Sequence, residues 1–240
     1  MNGFLGHEVS EVGRNLPEMN EFREIKPEKD MRIDEARSYW DDFFSGENLD
    51  DTENHEIQQE TTESNAEFPK TEVVDGKKHY YDDAGNLYRI DNELLPNNSY
   101  ELNGYTYTTD GLGRIVSAEG ELHLKDREGK LRIKDSMDDI GKGDQREGDD
   151  RGHLIGDQFD GTNGLENMVP QDAEINQKDF KYFENQLAKE VKDGKSVTVK
   201  VEPVYEGDSR RPIAIVVSYS IDGKEDVRVF PNSSKEDYDG

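Results

Sequence analysis

The stretch from Asp149 to Glu190 reads DDRGHLIGDQFDGTNGLENMVPQDAEINQKDFKYFENQLAKE. Its polar residues could serve one chemistry, the hydrolysis of a phosphodiester. That reaction takes a base to deprotonate water, a cation to meet the charge of the transition state, and a positioned leaving group. His153 titrates near neutrality and can act as the base with little perturbation. Asn176 offers a carbonyl oxygen of the kind magnesium accepts, and that ion keeps several waters and needs only one or two protein groups. Glu184 follows two helical turns later, which would set it on the side of Asn176 and off the apolar stripe. Arg151 presents a rigid charged fork that suits phosphate. Taken singly, each has a plainer role. A lone histidine is more often structural, an asparagine near a helix start caps it, and a helical glutamate usually faces water.

The elements that must hold these residues come next. Residues 28–45, EKDMRIDEARSYWDDFFS, place Ile33, Ala36, Trp40 and Phe43 on one helical face that carries the chain's single tryptophan. Residues 46–70 are acidic and poor in apolar side chains, the composition of a linker. Between Thr71 and Ile133, Asp75-Gly76, Gly85-Asn86, Asn103-Gly104 and Glu128-Gly129 each separate alternating or aromatic runs, which predicts the hairpins of a β-meander. After Asp150 comes a loop rich in Gly, Asn and Asp. A helix is predicted from about Ala173 to Lys192, with Phe180, Phe183, Leu187 and Val191 as its apolar stripe. SVTVKVEPVY, RPIAIVVSYS and EDVRVF alternate as strands do, with Asp222-Gly223 as a tight turn between the last two. The fold class is α+β, with a dominant, mainly antiparallel sheet and one prominent helix. The expected divisions are a helical segment over 1–45, an acidic linker over 46–70, a globular body over 71–232 and a loose tail over 233–240.

Composition limits what such a body could bind. Only 31% of residues are hydrophobic and 36% are charged, and 56 acids against 30 bases leave a formal charge of −26. That charge keeps a protein soluble and repels polyanions at long range, so nucleic-acid binding needs a local basic patch or bound cations. The acidity runs along the whole sequence and is not confined to its first third. There is no cysteine, which excludes disulfides and thiolate zinc sites. No apolar run is long enough to span a bilayer, and the start lacks the basic region and apolar stretch of a signal peptide.

In combination the motifs are more specific than their parts. DRGH, then N-x-V-P-Q, then I-N-Q-x-x-F-x-x-F-E over residues 150–185 resembles the DNA/RNA non-specific endonucleases of the ββα-metal (His-Me finger) class. The likeness is strongest to nuclease domains of bacterial polymorphic toxins exported by type VII secretion. It extends through residues 99–120 and 202–223, most of the globular body. The resemblance implies a ββα-metal core and a role for each motif residue. His153 would be the general base and Asn176 the direct ligand of a single magnesium, or of manganese in its place. Glu184 would orient metal-bound water, Arg151 would contact the phosphate, and Asp150 and Asn167 would support the site. The family has a further arginine upstream near the phosphate. Arg114, Arg127 and Arg146 compete for that role, with Arg114 preferred and Arg146 kept beside it. Arg146, Arg151, Arg210 and Arg211 are the cations an acidic nuclease would lean on.

The resemblance also implies partners: a DNA or RNA substrate, a cognate immunity protein and a secretion chaperone. It implies export without a cleavable signal peptide, action in the cytoplasm of a target cell, and an immunity protein holding the enzyme inactive in the producer. The acidity supports a competing expectation, a DNA mimic or inhibitor that occupies a basic groove without catalysis. The order and spacing of His, Asn and Glu favour the nuclease.

Overall fold

The computed structural model describes residues 69–233. The helix expected over 1–45, the linker expected over 46–70 as far as residue 68, and the tail expected over 233–240 beyond its first residue lie outside the described residues, and the linker's expected end is corrected because Lys70 already belongs to the first strand. A first antiparallel sheet is built from β1 (Lys70–Val74), β2 (Lys77–Tyr81), β3 (Leu87–Ile90) and β4 (Glu93–Leu94), in that order. A second contains β5 (Ser99–Leu102), β6 (Tyr105–Thr109), β7 (Ile115–Glu121), β10 (Val197–Val204), β11 (Ala214–Ile221) and β12 (Lys224–Pro231). Its order is β12-β11-β10-β7-β6-β5, and every neighbouring pair is antiparallel. The expected meander is therefore divided between two sheets. β7 pairs with β10, which lies some eighty residues further along the chain.

The turns show how residue type sets local geometry. Asp75-Gly76, Asn103-Gly104 and Asp222-Gly223 all have positive φ at both positions. That backbone matches the twist of the strands it joins, and glycine adopts it without steric cost. Gly85-Asn86 belongs instead to a longer connection, in which the Asp82 carboxylate accepts from the Ala84 and Asn86 amides. Glu128-Gly129 closes no hairpin. It lies in an irregular stretch between β7 and a short helix, α1 (Met137–Gly141). That stretch is held by isolated backbone and side-chain hydrogen bonds to residues 157–163, not by a strand partner, so the expected fourth hairpin is corrected.

Between β7 and β10 lies the insertion that carries the chemistry. β8 (Asp149–His153) and β9 (Met168–Asp172) form a two-stranded antiparallel ribbon. A helix follows, π-helical over Ile175–Phe180 and α-helical as α2 over Lys181–Lys192. Its buried Phe180, Phe183 and Leu187 face the large sheet, with Phe180 edge-on to Phe230 and Phe183 edge-on to Tyr219. The result is a β-β-α unit docked on an antiparallel sheet, the expected α+β class. Burying three large apolar side chains of one stripe stabilises the docking by several kcal/mol, roughly 1.5–3 per side chain.

Candidate active site

His153 ends β8, opposite Met168 on β9. Its Nε2 lies 2.8 Å from Oδ1 of Asn163, a residue only 6% exposed. An amide oxygen can only accept, so Nε2 carries the proton and Nδ1 keeps the lone pair. Burial holds the imidazole below its ordinary pKa, opposed by the Asn163 bond and the Asp157 charge and aided by Lys130 and Arg151. His153 is thus neutral at pH 7, with one nitrogen fixed and the other able to take a proton. Asn163 was not singled out by its sequence context, an Asn in a Gly/Asn-rich loop.

Asn167, expected to support the site, is fully buried and clamps the loop that follows the histidine. Its Oδ1 accepts from the Ile155 amide at 2.9 Å, and its Nδ2 donates to the carbonyls of Ile155 and Thr162. Two glycines make this packing possible. A Cβ on Gly152 would lie 2.1 Å from Oε1 of Gln171, and one on Gly161 would lie 1.8 Å from the Ile155 carbonyl oxygen. Gln171 is wholly buried beside Gly152. Gly161→Ala should destabilise the fold by about 2–3 kcal/mol, since the obstacle is backbone that a rotamer change cannot move. Urea unfolding measures this, and an unchanged midpoint would contradict the placement.

Asp150 and Asn176 meet across the ribbon and the helix. Oδ2 of Asp150 accepts from Nδ2 of Asn176 at 3.0 Å and from Nε2 of Gln177 at 2.7 Å. The amide group of Asn176 is thereby committed, and its carbonyl oxygen is the end left for a cation. Asn176 lies in the π-helical turn, a widened turn of a kind that recurs at functional sites. The eight-residue rule applied to Asn176 and Glu184 assumes regular α-helix, whereas about half of that interval is π-helical, so the expected alignment is set by a different rotation.

Glu184 sits in the first turn of α2 and points back at the segment just after His153. A Cβ on Gly156 would lie 2.2 Å from its Oε1. The carboxyl shares a small cavity with Leu154, Phe159, Phe180 and Val217. Burial pushes its pKa up to about 8, against the pull of the Gly156 amide, Gln158 and Lys181. Among the described residues no three His, Asp or Glu side chains converge as a metal cage. An amide carbonyl beside the Asp150 carboxylate is an all-oxygen, sparse donor set. It suits a hard cation that keeps its own waters and does not suit the nitrogen- and sulfur-rich sites of structural zinc.

The arginines divide sharply. Arg151 is exposed beside His153, and its Nη1 donates to the Asp135 carbonyl at 2.9 Å. Arg114 is not brought to this cluster. Its guanidinium pairs with Asp110, donates to the Gly207 and Ser209 carbonyls, and stacks on Tyr205. Arg146 is exposed in the turn before β8, where its amide donates to Asp149. Arg127 is bound to Asp157 and Asp160. Arg210 donates its amide to Asp144, and its side chain lies near the Gly113 carbonyl. Arg211, expected among the available cations, is corrected: it is 7% exposed and holds both oxygens of Asp149 at 2.8 Å. Arg89, given no role from the sequence, is buried behind the site. It grips Asp135 through two nitrogens at 2.6 and 3.0 Å and reaches Glu166 at 3.1 Å.

A family model described as DNA/RNA non-specific endonuclease matches residues 96–223, just over half of the chain. The type VII secretion system protein EssD of Staphylococcus aureus (strain USA300) is 35% identical over 137 residues, 54% of this chain and 22% of that protein. The chain therefore spans about a fifth of the length of the curated relative it matches. EssD of strain Newman matches equally, at 35%. Among solved structures, Sda1 nuclease with bound zinc ion superposes with a TM-score of 0.42 at 20% identity, covering 54% of this chain and 76% of that one. A structure described as an extracellular nuclease gives 0.40 at 18% identity, covering 59% and 92%.

Proposed function

The chain belongs to the DNA/RNA non-specific endonucleases, and from that premise we propose a magnesium-dependent site in which His153 is the general base. The observation that carries the reading is the Asn163–His153 hydrogen bond, which leaves Nδ1 neutral and free to accept a proton. Water attacks phosphorus as its proton passes to Nδ1. The P–O bond to the leaving oxygen breaks, and that oxygen is protonated from solvent. Arg151 meets the non-bridging oxygens with its fork. Asn176 would hold magnesium, with manganese as a substitute, and Glu184 would hold the waters around it. The bound ion supplies positive charge where the transition state gathers negative charge. Asp150 fixes the Asn176 amide, and Asn167 keeps the following loop from displacing His153.

The biological setting is part of the same proposal. The likeness to EssD, a type VII secretion system protein, supports delivery by that route, and action as an antibacterial toxin in the target-cell cytoplasm would complete the setting. An enzyme that cuts any nucleic acid endangers its producer, so a cognate immunity protein covering the site, and a secretion chaperone, are the partners it would require. No helix of the described residues is long and apolar enough to cross a membrane.

The test uses purified chain on supercoiled plasmid and on RNA, with magnesium, manganese, zinc or chelator. Cleavage is expected with magnesium or manganese and should fall at least a hundredfold in chelator. Equal cutting in chelator would overturn the metal site. No cutting under any condition would favour the acidic DNA-mimic reading, which the charge of −26 motivates.

A further inference from the structure

We propose that Lys130, Arg132 and Lys134 form a phosphate-binding strip that holds the nucleic-acid backbone alongside His153. The inference rests on the endonuclease reading above and adds where an acidic protein grips its polyanionic substrate. All three side chains are exposed, and none makes an ion pair among the described residues. Their upstream neighbours differ: Lys125 is bound to Asp157, and Arg127 to Asp157 and Asp160. Three unpaired cations at every second position, in a chain of net charge −26, are a local exception to a surface that repels phosphate.

The backbone that carries them is fixed relative to the catalytic base. The Leu131 amide donates to Oδ1 of Asp157 at 3.2 Å. The Lys134 amide donates to the carbonyl of Asn163 at 3.1 Å, and the side chain of that same asparagine holds His153. The next residue, Asp135, receives Arg151 on its carbonyl and Arg89 on its carboxylate. The strip thus begins beside the histidine loop and ends on the residue that holds Arg151. Leu131, 49% exposed between two of the cations, adds apolar surface for sugars or bases. Lysines at both ends act as mobile point charges, and Arg132 adds a planar fork for phosphate oxygens. Phosphates flanking the scissile one would lie along this row.

Counterion release gives the test. In the full chain carrying His153→Ala to prevent cutting, binding to a labelled 20-base-pair DNA is followed by fluorescence anisotropy between 50 and 300 mM salt. Neutralising the strip (Lys130→Gln, Arg132→Gln, Lys134→Gln) should reduce the slope of log affinity against log salt by about 2–3, near 0.9 for each lost phosphate contact. Affinity at the lowest salt should fall at least tenfold. A second triple, Lys77→Gln, Lys189→Gln and Lys224→Gln, changes net charge equally and should keep the original slope. An unchanged slope in the first triple, or an equal loss in both, would overturn the strip. Plasmid cleavage by the unsubstituted chain is measured separately, so failure of the endonuclease reading is distinguished from failure of the strip.

Discussion

Replacing His153 with alanine should lower the cleavage rate about a thousandfold while leaving the fold intact. A positioned general base contributes roughly 10²–10⁴ in rate, and the structure offers no second base at the end of β8. The fold does not depend on this one side chain, whose polar contact is the Asn163 bond, so its loss should cost about 1–2 kcal/mol and leave the protein folded. The comparison is single-turnover cleavage of plasmid and RNA in magnesium, with thermal unfolding as the control. Retained activity would move the base elsewhere.

The pH profile of the native protein carries the same assignment. Burial depresses the imidazole pKa below 6.5, so kcat/KM should stay high through neutrality and fall only as the pH drops through that depressed value. The sign for stability is the same. Between the folded and unfolded pKa values the unfolded chain binds the extra proton, so this contribution is present above 6.5 and declines as the solution is acidified. Asn163→Asp sets a carboxylate against the Nε2 proton and should shift the acid limb upward. An unmoved limb would remove Asn163 from its positioning role.

Glu184→Gln should act in opposite directions on activity and stability. Without its carboxylate the site loses the group that would order metal-bound water, and cleavage should fall at least a hundredfold. In metal-free buffer the variant should be more stable than the native protein at pH 7. Burial raises the native carboxyl from 4.5 to about 8, so the folded state binds the proton more tightly than the unfolded state. Its stabilising contribution is complete below 4.5 and is lost as pH rises toward 8. At pH 7 the loss reaches up to about 3 kcal/mol, from 1.36 kcal/mol per pH unit. Glutamine keeps an oxygen for the Gly156 amide and has no charge to desolvate. Urea unfolding at pH 4 and pH 7 reads the difference, with the variant's advantage present only at the higher pH. A variant less stable at both values would place Glu184 in a solvated setting.

The elements legible in the sequence were those fixed by local physics. Asp222-Gly223 dictates a reversal because few residues adopt positive φ at both positions, and the apolar-rich runs on either side form β11 and β12. Phe180, Phe183 and Leu187 announced the helix because one turn of backbone repeats their direction. His153, Asn176 and Asp150 were legible as an ordered motif, and the fold brings Asp150 and Asn176 within hydrogen-bonding distance. Three things were decided only by the tertiary structure. The meander divides between β4 and β5, and β7 joins β10, a neighbour some eighty residues away that no turn signal names. The fate of each arginine depends on which carboxylates the fold delivers: Arg211 is captured by Asp149 and Arg114 by Asp110, while Arg151 keeps an exposed face beside the base. Asn163 becomes the partner of His153 only because the Asn167 clamp closes the loop between them, and no spacing along the chain encodes such a closure. Periodicity and turn chemistry act within a few residues, whereas sheet order, ion pairing and ring tautomer are set by groups that meet only after the chain has folded.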